Sequence, residues 1–163
     1  MFKTLPIFLL LCGFAFLIGG HAFAAGQIDG QTITRAKDLA PAKGSDKFFT
    51  GDVTVTQLYP ANNEMRSSGG SVTFQPGARS NWHIHPVGQV LIITDGVGRT
   101  GVWGKPFQEV RAGDIVVCPA GVKHWHGAAP DSAMTHISIC EEKEPGKVVE
   151  WLEKVSDDQY NQQ

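Results

Sequence analysis

Residues 77–96 read GARSNWHIHPVGQVLIITDG, and the character of the fold is decided there. His83 and His85 stand two residues apart, and side chains two apart on a β-strand point to the same face. Residues 90–94, VLIIT, make a strand-like run expected to end in a turn at Asp95-Gly96. Two imidazoles side by side can chelate one divalent metal, and the oxygen of Gln89, four residues on, can add another ligand. A second stretch, residues 113–127, GDIVVCPAGVKHWHG, sets His124 and His126 at the same spacing. The pattern predicts a metal site.

The rest of the chain supports a single small β domain around that site. Of 163 residues 42% are hydrophobic, enough for one core and too few for two. Nineteen Gly and nine Pro favour short strands and many turns. A formal charge of −2, with no Lys/Arg cluster, argues against a nucleic-acid partner.

Residues 1–24 have the pattern of a leader: Lys3, an apolar run over 5–18, then small residues with Ala22 and Ala24 at signal-peptidase positions. The run is short for a membrane span. Cleavage after Ala24 would export the chain to the periplasm or beyond and leave no stable membrane anchor. Cys12 fits a lipoprotein signal poorly because bulky Leu11 precedes it. Cleavage leaves five histidines, all in or beside the two stretches, and two cysteines, Cys118 and Cys140. In an oxidising compartment those two either form a disulfide or stay as buried thiols, and spacing alone leaves both open.

Residues 25–47 show no sustained period and read as an arm that wraps the domain or stays loose. Strands are expected over 51–59, 71–74, 99–103, 108–111, 115–118, 123–128 and 134–140, separated by Pro- and Gly-containing turns. The nearly all-apolar IVVC of 115–118 suggests a strand buried on both faces. Residues 148–154, VVEWLEK, allow a helical turn or two, and Ser156 before Asp157, Asp158 and Gln159 is an N-cap for a short terminal helix. The whole is all-β, a barrel or jelly roll.

The two stretches resemble the paired motifs of the cupin superfamily, the double-stranded β-helix barrels. The first family motif is G-x5-H-x-H-x3-E-x6-G. Gly77, His83, His85 and Gly96 fall on it, with Gln89 where Glu is usual. The second is G-x5-P-x-G-x2-H-x3-N. Gly113, Pro119, Gly121 and His124 fall on that one, with Ala128 in place of Asn. The resemblance implies a cupin domain over 48–163 with a short C-terminal helix, whose His83, His85, Gln89 and His124 hold one divalent metal. A cupin that has lost its metal is the alternative, but metal-free storage cupins lose the histidines that are kept here. Replacing Glu by Gln leaves four neutral donors, so a bound ion keeps its full +2 charge and favours an anionic ligand.

Over about residues 49–160 the chain further resembles bacterial manganese-dependent cupin hydroxynitrile lyases. The likeness is carried by SVTFQPGARSNWHIHPVGQVLIITDG, KHWHGAAP, AMTHISI and KVVEWLEKVSDDQY. Those enzymes cleave (R)-mandelonitrile reversibly to benzaldehyde and cyanide. The likeness implies manganese, with iron or zinc as alternatives, and a small-molecule substrate. It also implies that His136 exchanges the substrate's hydroxyl proton, which an imidazole of ordinary pKa, about 6.5, can accept; a merely packed core histidine is the other reading. Ser80, Lys123, His126 and Cys140 are candidate pocket residues, although His126 also suits a solvent-facing strand end. Trp82 and Trp125 suit either an apolar wall for an aromatic substrate or core packing. A homo-oligomer is expected from the resemblance. A cupin-type metal dioxygenase and a non-enzymatic small-ligand-binding cupin are the rival functions.

Overall fold

The computed structural model describes residues 26–28 and 30–162; the leader expected over 1–24 lies outside them. β1 (Gly26–Ile28) and β2 (Gln31–Ile33) form a separate hairpin. The next strands are β3 (Ala42–Lys43), β4 (Phe49–Thr50), β5 (Val53–Tyr59), β6 (Ser67–Phe74), β7 (Arg79–Ser80) and β8 (His83–Ile84). After them come β9 (Gln89–Val102), β10 (Gln108–Arg111), β11 (Ile115–Cys118), β12 (His124–Ala128), β13 (Met134–Glu141) and β14 (Glu150–Trp151). Strands β3 to β14 join one curled sheet in the order β14-β8-β12-β9-β13-β6-β5-β3. Strands β10 and β11 add on β9, β7 adds on β12, and β4 adds on β7. The all-β barrel architecture expected from the sequence is therefore observed.

The curl is made by β9. The expected turn at Asp95-Gly96 is instead a bend inside one continuous strand. Before the bend, residues 89–93 lie between β11 and β13; after it, 97–102 lie between β10 and β12. Gly96 has φ +73, and a Cβ there would stand 1.9 Å from the Ala133 carbonyl oxygen, so only glycine lets the strand change sheets here. The Asp-Gly pair marks a true backbone bend, but the pairing register carries the strand through it. Thr135 and His136 of β13 face Asp95 and Ile93, so Thr94 is an extra residue that bulges β9 itself just before the bend.

Three further expectations need correction. β6 starts at Ser67, four residues before the strand expected over 71–74. Glu150–Trp151 is not helical: Trp151 pairs with His83 in the ladder, a tertiary contact that overrides local helix preference. β11 is not buried on both faces either. Val116 and Cys118 face inward, while Ile115 and Val117 are 65% and 67% exposed. An all-apolar run does not reveal whether anything covers its outer side, and β11 pairs only with β9 among the described residues. Within residues 25–47, β3 pairs with β5 at the sheet edge.

Two apolar clusters hold the sheet. Val53, Val72, Phe74, Leu91, Ile93 and Met134 pack between its curled faces, each large side chain contributing roughly 1.5–3 kcal/mol. Trp82, Trp125, Val155 and Tyr160 form the second, under the tail. The tail's α1 (Asp157–Asn161) starts with a capping box, Ser156 Oγ accepting from Gln159 N at 3.1 Å and Gln159 Oε1 from Ser156 N at 3.0 Å. Tyr160 donates its hydroxyl to the Ala128 carbonyl at 2.8 Å, and buried Arg79 donates to the Val155 carbonyl and to Asp157. The tail thus closes one side of β12. No helix among the described residues is long and apolar enough to cross a membrane.

Candidate metal centre

Alternation along short strands builds the centre. β8 and β12 are antiparallel with His83 directly opposite His124, and Trp82 and Trp125, one position off, point the other way into the tail cluster. Of the two readings of these tryptophans, core packing is the one observed for both. His85 follows just past β8, and Gln89 opens β9. Candidate ligand nitrogens of His83, His85 and His124 all lie within 4.8 Å of one another, and all three residues are buried.

Each of these rings is set by a backbone carbonyl. The Nδ1–H of His83 donates to Asn81 O at 2.9 Å, that of His85 to Val148 O at 2.8 Å and that of His124 to Val122 O at 2.9 Å. A carbonyl only accepts, so the proton resides on Nδ1 and each Nε2 presents a lone pair, as a metal-binding imidazole requires. Burial is the largest cause lowering all three pKa values, His85 to about 4, so the rings are neutral at pH 7.

Gln89 completes a cluster that protein atoms alone do not satisfy. Its Oε1 lies 3.0 Å from His124 Nε2, acceptor facing acceptor with no proton between them. A shared cation resolves this: two ligands about 2.1 Å from one octahedral ion stand about 3.0 Å apart. The donor set of three imidazoles and one amide oxygen fits a divalent ion with open positions.

Beside the cluster lies a cavity of about 550 Å³. His126 and His136 line it, and among the described residues neither ring has a hydrogen-bond partner on either nitrogen. Their centroids are 4.8 Å apart, and His126 is 5.1 Å from His83. Burial, the largest cause for both, holds His136 at about 4 and His126 well below the usual value, so both are neutral at pH 7 and His136 is a weaker base than the ordinary imidazole expected from the sequence. His126 thus faces the cavity, not solvent.

The other candidates separate. Cys140 lines the cavity. Ser80 does not; its hydroxyl is buried behind His83 and accepts from His126 N at 3.2 Å. Lys123 lies outside the barrel, 3.4 Å from the Trp103 ring centroid and paired with Glu153, so it also misses the cavity. Cys118 and Cys140 flank Gln89 on neighbouring strands, two strand spacings or about 9.6 Å apart. That exceeds disulfide reach, and both are free thiols. Burial, the largest cause for each, raises both pKa values, that of Cys118 to about 11.

Two contributors were not singled out from sequence. Trp151, 5.0 Å from the His83 ring and stacked at 4.8 Å on Phe48, supplies the aromatic wall together with Phe49. Ser138 accepts a hydrogen bond from Gln89 Nε2 at 2.9 Å. The period of two along β13 carries a signal for Ser138, which lies between His136 and Cys140; nothing local signals Trp151.

Comparison with known proteins agrees with this geometry. The family model described as a cupin domain matches residues 70–140. The chain is 47% identical over 128 residues to a protein of Granulicella tundricola named (R)-mandelonitrile lyase, covering 78% of this chain and 97% of that one. The chain belongs to the cupin family. A solved cupin-like protein of Thermotoga maritima is 43% identical, covers 73% of this cupin and 90% of its own chain, and superposes with a TM-score of 0.69. A cupin-2 domain from Rhodospirillum rubrum, at 18% identity and TM-score 0.61 over 79% of this cupin and 83% of its own chain, shares the fold.

Proposed function

We propose that this cupin is an exported, metal-dependent lyase that cleaves cyanohydrins such as (R)-mandelonitrile to an aldehyde and cyanide, reversibly. The observation that carries the reading is the division of the five buried histidines. Three have Nδ1 tied to carbonyls and Nε2 turned together, and two present unpartnered neutral rings to the adjoining cavity. The name of the 47% identical relative supports the substrate class.

In this reading His83, His85, Gln89 and His124 hold the ion, with manganese the metal implied by resemblance and iron or zinc the alternatives. A bound divalent ion supplies Lewis acidity toward a substrate oxygen. Phe49 and Trp151 pack an aromatic group at the cavity wall, and the apolar lining excludes water. His136, neutral and free on both nitrogens, accepts the hydroxyl proton as the carbon–carbon bond breaks, and the electrons of that bond leave with cyanide. His126 lies against His136 and adds a second polar contact for the substrate oxygen. The leader pattern of residues 1–24 supports export. A homo-oligomer is supported by β11, whose outer edge is unpaired among the described residues and whose outer face carries exposed Ile115 and Val117.

The test measures benzaldehyde release from racemic mandelonitrile by manganese-loaded protein, chelated protein and His136→Ala. Release that needs the metal and falls at least about a hundredfold in the variant is expected. Metallated protein that releases no aldehyde above background, or that consumes oxygen with its substrate, overturns the lyase reading.

A further inference from the structure

Gln89 poses a problem that the glutamate usual at this position does not. A carboxylate offers two equivalent oxygens, whereas an amide offers one oxygen that can ligate a cation and one nitrogen that cannot. The two ends have the same shape, so the ligand is lost if the amide turns over. With His124 Nε2 presenting a lone pair, the turned amide would be preferred in the metal-free protein, because its N–H would then meet an acceptor. Something else must hold the oxygen inward.

The structure contains such a device on β13. Gln89 pairs in register with Cys140, and its Nε2 donates to Ser138 Oγ at 2.9 Å. Ser138 Oγ in turn lies 3.4 Å from Cys140 Sγ. A serine hydroxyl that donates to the buried thiol would have only its oxygen lone pairs left for the amide, and these accept an N–H but not a carbonyl oxygen. We propose that Ser138, backed by Cys140, is the positioning residue that decides which end of the Gln89 amide faces the metal. The inference rests on the metal reading above. It gives the departure from Glu to Gln a cost, a ligand with a wrong way round, and identifies the residues that remove it.

The test is a double-mutant cycle read by metal affinity. Wild type, Ser138→Ala, Gln89→Glu and the double variant are each titrated with Mn²⁺ and Zn²⁺ against a fluorescent chelator. Thermal unfolding of the chelated forms checks that each is folded. With Gln89 present, Ser138→Ala is expected to weaken both ions about tenfold or more, the usual cost of losing a group that orients a ligand. Ser138→Thr, which keeps the hydroxyl, is expected to retain affinity. With Glu at position 89 no end is wrong, and Ser138→Ala is expected to change affinity less than about threefold. Equal losses in both backgrounds would show a general structural role and overturn the inference, as would no loss with Gln89. A wild type that binds neither ion overturns the metal reading, and this inference with it; a wild type that binds while Ser138→Ala binds as tightly overturns this inference alone.

Discussion

Burial of His136 makes the metal-free fold acid-labile over a definite pH window. The ring is fully buried against Phe74 and His126, lacks a partner on either nitrogen, and has its pKa lowered from 6.5 to about 4, chiefly by burial. The unfolded chain takes up this proton near pH 6.5, the folded chain only near 4. The folded state is therefore unpenalised above pH 6.5, loses stability as pH falls through that value, and loses no more from this group below about 4. The whole window is worth about 3 kcal/mol, of which about 2 kcal/mol has gone by pH 5. His136→Leu removes the titration with an apolar side chain that suits the same cavity wall. The assay is urea unfolding with a chelator present, wild type and variant, at pH 7.5 and 5.0. His85 and the other buried histidines titrate in both chains, so the informative quantity is the pH-dependent loss of wild type minus that of the variant. A difference of about 2 kcal/mol is expected. If His136→Leu loses as much stability as wild type, the ring is not held neutral by burial, and the account of a cavity lined by neutral imidazoles fails with it.

Adding Mn²⁺ at about 100 times its dissociation constant should stabilise the protein by about 2.7 kcal/mol, visible as a Tm rise of roughly 5–10 °C. His85→Ala should abolish that rise, and a variant that keeps it removes His85 from the ligand set. Gln89→Glu, assayed at full metal occupancy, should lower cyanohydrin cleavage about tenfold, or ~1.4 kcal/mol, because a carboxylate offsets one unit of the ion's charge. Unchanged or faster cleavage sinks that electrostatic account. Val117→Lys, which charges the outer face of β11, should halve the mass measured by light scattering after size exclusion; an unchanged oligomer places the contact elsewhere.

The legible part of this chain was the part written in strand alternation. His83 and His124 fall opposite each other, and His124 and His126 share an inner face, because a period of two leaves each ring one choice of side. The same rule puts Trp82 and Trp125 outside, a consequence that neighbouring positions alone would have allowed. Ser156 and Gln159 announced their cap by chemistry local to one turn. The failures lie where meaning depends on a distant partner. Asp95-Gly96 has the composition of a hairpin turn, and only the close approach of Ala133 shows it to be a bend. Trp151 sits in a helix-like heptapeptide and becomes a strand residue through pairing with His83. Ile115 and Val117 look like core until it is known that none of the described residues covers the outer face of β11. Lys123 adjoins His124 and Ser80 lies three residues before His83, yet Glu153 and the His126 backbone take up their polar groups.

The electrostatics of the cavity follow from what is missing from its wall. Among the described residues no Asp, Glu, Lys or Arg lines it; its polar members are imidazoles, amides, hydroxyls and one thiol whose pKa burial raises. Burial keeps every one of the five imidazoles neutral at pH 7. A divalent ion held by Gln89 and three such rings would therefore keep both positive charges, in a pocket too apolar to screen them well. An anionic leaving group generated there would find its compensating charge already in place, with no side chain having to move or ionise, the condition under which preorganised charge is most effective. The same neutrality makes His136 suited to its proposed task. A protonated ring beside an uncompensated dication would be expelled, whereas a neutral one can take a proton when the departing anion offsets the added charge. Gln89 and the depressed pKa of His136 are thus two parts of one arrangement, and a carboxylate at position 89 would weaken the first while relaxing the second.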